Sequence, residues 1–242
     1  MSTAHLHAVP SPEKLVELYS EAPLPTRHGL LRALVFRERA TGKEHVVAVK
    51  GDVRGQEGVL VRVHSECLTS EILGSLKCDC REQLEHALHL IGASERGAMI
   101  YLRQEGRGIG LGNKIRAYDL QNSGADTVEA NEKLGFEADA RSYDLAAAIL
   151  ADLDVKSVRL MTNNPRKRAG LEGHGLQVVE RVPLSAEVHE ANRRYLETKR
   201  DKLGHLLPAH LLEESLVEPG LSDLPSVFMR EDDAVETLFA SD

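Results

Sequence analysis

Apolar and polar positions change period several times along the chain, and each change marks an element. Leu30–Phe36, Glu44–Val49 and Gly58–His64 are β-rich stretches divided by the turn signals Thr41-Gly42 and Val53-Arg54-Gly55, a pattern that predicts three strands in a meander. From Gln83 the spacing becomes helical, with Leu84, Ala87, Leu88 and Ile91 on one face, and Ala98–Leu102 then reads as a buried strand. Farther on, Asp144–Leu153 predicts a helix, Ser157–Thr162 a strand, Pro165–Leu171 a short helix, Gln177–Val182 a strand and Glu187–Lys202 a polar helix. Helices alternating with strands imply crossovers, so the expected fold class is α/β: mixed sheet layers flanked by helices, after an N-terminal β meander.

Both ends fall outside this pattern. Residues 1–22 are expected to form a loose arm with one short helix around Glu13 to Tyr19, residues 23–207 the main domain, and residues 208–242 an acidic tail. The tail holds nine Asp or Glu and one Arg, so it carries the whole formal charge of −8 and the other 207 residues sum to zero. Such a balance argues against a nucleic-acid partner, yet leaves room for a local basic pocket around a small phosphorylated ligand. No stretch approaches the ~18 apolar residues of a membrane span, and MSTAHLHAVPSPEKL lacks the basic and apolar regions of a secretory signal; a cytoplasmic chain without membrane contact is expected. At 242 residues, 42% apolar and 28% charged, the chain can bury a core without disulfides.

Chemistry enters with the cysteines. Cys67, Cys78 and Cys80 are the only three and lie within fourteen positions, spaced C-x10-C-x-C. The Cys-Asp-Cys pair projects two thiols from one turn, as a metal chelate needs. A structural zinc takes four protein ligands, whereas a catalytic one keeps three and leaves a place for water, so three thiols favour an open site. His64 or Glu66, beside Cys67, would instead close it into a structural site, and three ordinary buried thiols are the remaining reading. His64-Ser65-Glu66 is also an H-x-E sequence like that of the nucleobase deaminases, but their motif continues P-C-x-x-C and this chain does not.

After the Ala98–Leu102 strand, Arg103-Gln104-Glu105-Gly106-Arg107-Gly108-Ile109-Gly110-Leu111-Gly112-Asn113-Lys114 combines close backbone approach at its glycines with positive charge at Arg103, Arg107 and Lys114. Strand, glycine loop, helix is an arrangement that binds phosphate, although the G-K-[ST] of a Walker motif is missing. A second polar cluster, Thr162-Asn163-Asn164-Pro165-Arg166-Lys167-Arg168, follows a strand and opens a helix at Pro165, offering Thr162 and Lys167 to phosphate. Between the two, Tyr118, Asp126, Thr127, Glu129, Asn131, Asp139 and Arg141 fit a solvated helix face as readily as a site.

Taken together, R-V-H-S-E-C-L-T at 62–69, G-S-L-K-C-D-C at 74–80, R-Q-E-G-R-G-I-G-L at 103–111, K-I-R-A-Y at 114–118, D-T-V-E-A-N at 126–131 and T-N-N-P at 162–165 resemble the GTP cyclohydrolase II family, in motif order from Leu24 to Leu207. The resemblance implies a zinc hydrolase that opens the imidazole ring of GTP at the entry to riboflavin synthesis, releasing formate from C8 and pyrophosphate. Cys67, Cys78 and Cys80 would hold the zinc, and magnesium would accompany the triphosphate. Arg141 would attack the α-phosphorus with Asp139 as proton acceptor; because an arginine is protonated up to a pKa above 12, charge stabilisation is the other role open to it. Tyr118 would serve the hydrolysis of the formamide. Arg62, Val63, His64, Ser65, Glu66, Gln83, Glu105, Gly106, Arg107, Thr127, Thr162 and Lys167 would surround the nucleotide, and the family habit implies a homodimer.

Three features depart from the family pattern: Arg81 where many relatives have glycine after the last cysteine, the acidic tail, and the lack of a preceding dihydroxybutanone phosphate synthase domain, which the short arm cannot supply. Competing readings are a sibling cyclohydrolase that stops at the formylated pyrimidine or feeds a secondary pathway, a catalytically silent nucleotide-binding module, and a deaminase that releases ammonia.

Overall fold

A computed structural model describes residues 15–137, 139–184 and 188–207 of the protein. Its frame is one seven-stranded mixed sheet in the order β1-β2-β3-β5-β4-β6-β7. Strands β1 (Val16–Thr26), β2 (Gly29–Glu38) and β3 (Glu44–Lys50) form the antiparallel meander, and β5 (Gly97–Leu102) pairs antiparallel with β3. Parallel pairing then joins β5 to β4 (Val59–Ser65), β4 to β6 (Ser157–Met161) and β6 to β7 (Gln177–Val182).

Two sequence expectations are corrected here. Val16–Thr26 is a strand, so the expected loose arm with its helix around Glu13 to Tyr19 is replaced from Val16 onward by β1, paired along its length with β2. The segment VELYSEAPLPT buries only Val16 and carries two prolines, which an edge strand tolerates because one side of it needs no ladder partner. Nor does β4 continue the meander, since β5 inserts between it and β3. Residues Val59 to His64 are all buried, the mark of an interior strand covered on both faces. Residues 1–14 and the acidic tail expected over 208–242 lie outside the described residues.

Both faces of the sheet are covered. On one, Val59, Val61 and Val63 meet Ala146, Ile149 and Leu150 of α5 (Asp144–Asp152). On the other, Leu60 and Met99 meet Ala87 and Ile91 of α2 (Cys80–Ala93). Alternation along β4 therefore sets Arg62 and His64 on the α2 face. Two further helices, α3 (Leu111–Asn122) and α4 (Thr127–Lys133), divide the polar run between Lys114 and Tyr143. The solvated-face reading of that run fails, because Lys114, Asn131 and Asp139 are buried. An Asp126–Glu129 capping box starts α4, and Asn164 caps α6 (Pro165–Glu172) by accepting from the Arg166 N–H at 2.9 Å. Helix α7 (Glu190–Asp201) is the last helix among the described residues.

Candidate active site

The segment after β4 carries Cys67, the loop after β5 carries the glycines, and the loop after β6 carries Thr162 to Pro165. Parallel pairing brings these three carboxyl ends together, where open α/β sheets place their ligands. They line a cleft of about 1020 Å³, counting the part open to solvent.

At one end of the cleft the Sγ atoms of Cys67, Cys78 and Cys80 all lie within 4.8 Å of one another, with Cys67 and Cys78 3.6 Å apart. Tetrahedral thiolates at a zinc distance of 2.3 Å stand about 3.8 Å apart, so the donor set fits that ion. Neither His64 nor Glu66 joins the cluster among the described residues, and His64 Nε2 is committed to Glu71 at 2.7 Å. The cluster therefore offers three protein donors among the described residues. The thiols of Cys78 and Cys80, followed by the Lys114 ammonium 3.0 Å from the sulfur, hold the Cys67 thiol well below its ordinary value.

Glu105 ties this end to the glycine loop. Its carboxylate accepts from the Leu68 N–H at 2.7 Å, from the Gly106 N–H at 2.8 Å and from Lys114 Nζ at 2.8 Å. Gly106, at φ +61°, favours glycine, and a Cβ there would stand a tight 3.1 Å from both Ile109 and Lys114 side-chain carbons. Arg107 follows at φ +59° without the glycine exemption. Its carbonyl accepts from the Ala140 N–H at 3.2 Å, and its Nη1 is buried with no hydrogen-bond partner among the described residues.

The cleft also concentrates cations. Arg62 donates to the Met161 carbonyl at 3.0 Å and to Gln83 at 2.6 Å, and burial lowers its pKa to about 10. Lys167, buried, donates to the Val63 carbonyl at 2.8 Å, so Val63 contributes its backbone while its side chain packs in the core. Burial, then the charges of Arg62, Arg141 and Lys199, push Lys167 well below its ordinary pKa. Burial and four of these cations likewise lower His205 to about 2. Mutual repulsion of this kind stores a demand for an anion.

Arg141 grips Asp139 with two bonds, Nε to Oδ1 at 2.8 Å and Nη2 to Oδ2 at 2.6 Å. Burial would raise the Asp139 carboxyl, but Arg141 and Arg107 outweigh it and hold its pKa at about 2. The contribution of this depressed group to stability is complete above the unfolded pKa near 4 and is lost as pH falls through about 2. Relative to Asp139→Asn, the wild type should lose an advantage of about 2 kcal/mol between about pH 6 and pH 2, measured by urea unfolding at both ends.

Of the other expected residues, Ser65, Glu66, Thr127 and Thr162 line the cleft. Tyr118 does so as well, its hydroxyl 3.2 Å from that of Thr69 and its pKa raised to about 12 by burial. His64 stacks on Tyr101 at 5.7 Å, and burial lowers its pKa to about 4. Gln83 lines the cleft too, its amide oxygen accepting from Arg62 and its Nε2 donating to Asp79, each at 2.6 Å, so it orients the Arg62 guanidinium. Arg81 does not line the cleft, and its N–H donates to Ser70 Oγ. The sequence reading missed Tyr195, Lys199 and His205, which wall the cleft from α7 and the turn beyond it. Only the run of cations in an otherwise polar helix hinted at them.

The fold and the site thus define an α/β protein with a cluster of three thiols and several buried cations in a single cleft. The chain belongs to the GTP cyclohydrolase II family, whose model matches residues 17–183. It is 57% identical over 194 residues to the riboflavin biosynthesis protein RibBA of Bacillus subtilis (strain 168), covering 80% of this chain and 49% of that one. Identity to the RibBA of Salinispora tropica is 56% over 196 residues, covering 81% of this chain and 49% of the relative. For that of Chlorobium phaeovibrioides it is 54% over 194 residues, covering 80% and 47%. The chain thus spans about half the length of these relatives. No helix among the described residues is long and apolar enough to cross a membrane.

Proposed function

We propose that the protein is a zinc-dependent GTP cyclohydrolase II. It opens the imidazole ring of GTP, releases formate and pyrophosphate, and yields 2,5-diamino-6-(ribosylamino)-4(3H)-pyrimidinone 5'-phosphate for riboflavin synthesis. One observation carries this reading: three convergent thiols and a cluster of buried cations share a cleft, as hydrolysis at a purine carbon and departure of pyrophosphate together require.

Cys67, Cys78 and Cys80 would hold the zinc, which would supply Lewis acidity and activate water for attack on the purine carbon. Lys114 keeps Cys67 ionised, and Glu105 locks the metal loop onto the glycine loop, so base and phosphates are held at a set separation. Arg62, Arg107, Arg141 and Lys167 face the triphosphate, and its arrival relieves the repulsion that depresses Lys167. Magnesium would accompany the leaving pyrophosphate. Glu66, which burial raises above the ordinary carboxylate range, is the acid in the cleft placed to read the guanine edge. Tyr118, its hydroxyl 3.2 Å from that of Thr69, would orient the water that hydrolyses the formamide or relay a proton from it to the departing amine. A homodimer and a cytoplasmic setting complete the proposal.

The test incubates zinc-loaded protein with GTP and magnesium, quantifies formate and pyrophosphate, and weighs the pyrimidine. Equal yields with the diamino product support the full reaction. Pyrophosphate without formate would leave the sibling cyclohydrolase, and neither product would leave the silent binding module. Tyr118→Phe should still open the ring but accumulate a product heavier by one formyl carbonyl, seen by mass analysis. The diamino product at the wild-type rate would remove Tyr118 from the chemistry.

A further inference from the structure

Asp79 stands between two of the three thiols in the Cys78-Asp79-Cys80 turn, and it is wholly buried. One carboxylate oxygen accepts from Lys199 Nζ on α7, and the other accepts from Gln83 Nε2 at 2.6 Å. Gln83 in turn receives Arg62 at 2.6 Å. A continuous chain of bonds therefore runs from α7 through the Cys78-Asp79-Cys80 turn to Arg62, one of the cations that line the cleft. Lys199 lies outside the 17–183 family match, is 6% exposed, and sits over the Tyr195 ring at 4.6 Å. Its helix is strapped down on both sides. Lys202 pairs with Asp126 and Glu129 of α4, and beyond the helix the Leu206 N–H donates to the Asn163 carbonyl at 2.8 Å.

We propose that Lys199 is a positioning residue for the metal site: its ion pair with Asp79 holds the Cys78-Asp79-Cys80 turn, and with it Gln83 and Arg62, in the geometry that the chelate needs. The inference rests on reading the three thiols as a metal chelate. Without the ammonium, a fully buried carboxylate keeps only a neutral amide. An unpaired buried charge is costly enough to pull the turn away from its place, and two ligands move with it. Groups that orient metal ligands from behind are typically worth 10–100-fold in metal affinity or activity.

The experiment follows transfer of zinc from the full chain to a chromophoric chelator, together with the thiolate absorption bands of the cobalt-substituted protein. Lys199→Met should release zinc about 10–100-fold faster and shift the cobalt bands, and Lys199→Arg should restore both. Asp79→Asn should behave like Lys199→Met, and the double variant should release no faster than Asp79→Asn alone. Lys202→Met loosens the same helix while leaving Asp79 paired, so its zinc release should match the wild type. Wild-type release by Lys199→Met, equal acceleration by Lys202→Met, or multiplying effects of the Asp79 and Lys199 variants would each overturn the proposal. A wild-type protein that retains no stoichiometric zinc would fail before any variant is compared, and would remove the metal reading along with this one.

Discussion

Replacing Cys78 with serine should leave the chain folded but unable to retain zinc, and formate release should fall by about 10³-fold or more. Cys78 is 5% exposed and its sulfur is 3.6 Å from that of Cys67, so the substitution removes one of three converging donors at little cost in volume. A hydroxyl ionises far less readily than a thiol and makes a poor ligand at neutral pH, while two thiolates alone leave the ion half-bound. Loss of a Lewis acid worth several kcal/mol, about 4, corresponds to the stated factor. Metal content per chain and formate yield measured on the same preparation decide the matter. A zinc-free Cys78→Ser protein with wild-type turnover would sink the metal-dependent mechanism.

Arg141→Ala should lower pyrophosphate release by about 10³–10⁵-fold, the worth of an arginine that answers charge on a transferring phosphoryl group. Arg141→Lys should recover part of this, because it keeps the charge and loses the two-pronged grip on Asp139. Burial opposes the charged guanidinium, but the bonds from Asp139 prevail and raise the Arg141 pKa above its ordinary value. Service as a nucleophile would need that proton removed against the pairing, which supports charge stabilisation as its part. GTP labelled at the α-phosphorus separates the roles. Label trapped on quenched wild-type protein but not on Arg141→Lys would assign the covalent step to Arg141, and an unlabelled wild type would assign charge stabilisation. Wild-type pyrophosphate release from Arg141→Ala would exclude both.

Much of the molecule was legible from local pattern. The helical face of Leu84, Ala87, Leu88 and Ile91 lies in α2, and the aliphatic run at 98–102 is the core strand β5. These segments obey one period from end to end, so burial of one face or of both can be read without knowing the partner. Strand β1 was not legible, because an edge strand with exposed positions and prolines has no period of its own and takes its structure from β2. The thiolate cluster was legible because its ligands lie in one short segment. Lys199 was not, standing 120 positions from the aspartate it pairs with, in a helix whose polar sequence equally fits a solvated face.

By itself, then, the sequence determined the donor types, their spacing, the glycine loop and the identity of most elements, all of which depend on neighbours a few residues apart. Only the tertiary structure decided that β5 enters between β3 and β4, that Glu105 clamps the cysteine loop to the glycine loop, and that Gln83 bonds Arg62 while the Val63 carbonyl receives Lys167. Such choices are settled by pairing across the sheet and by the need of every buried polar group for a partner. Both conditions join residues far apart in the chain, and neither leaves a period in it.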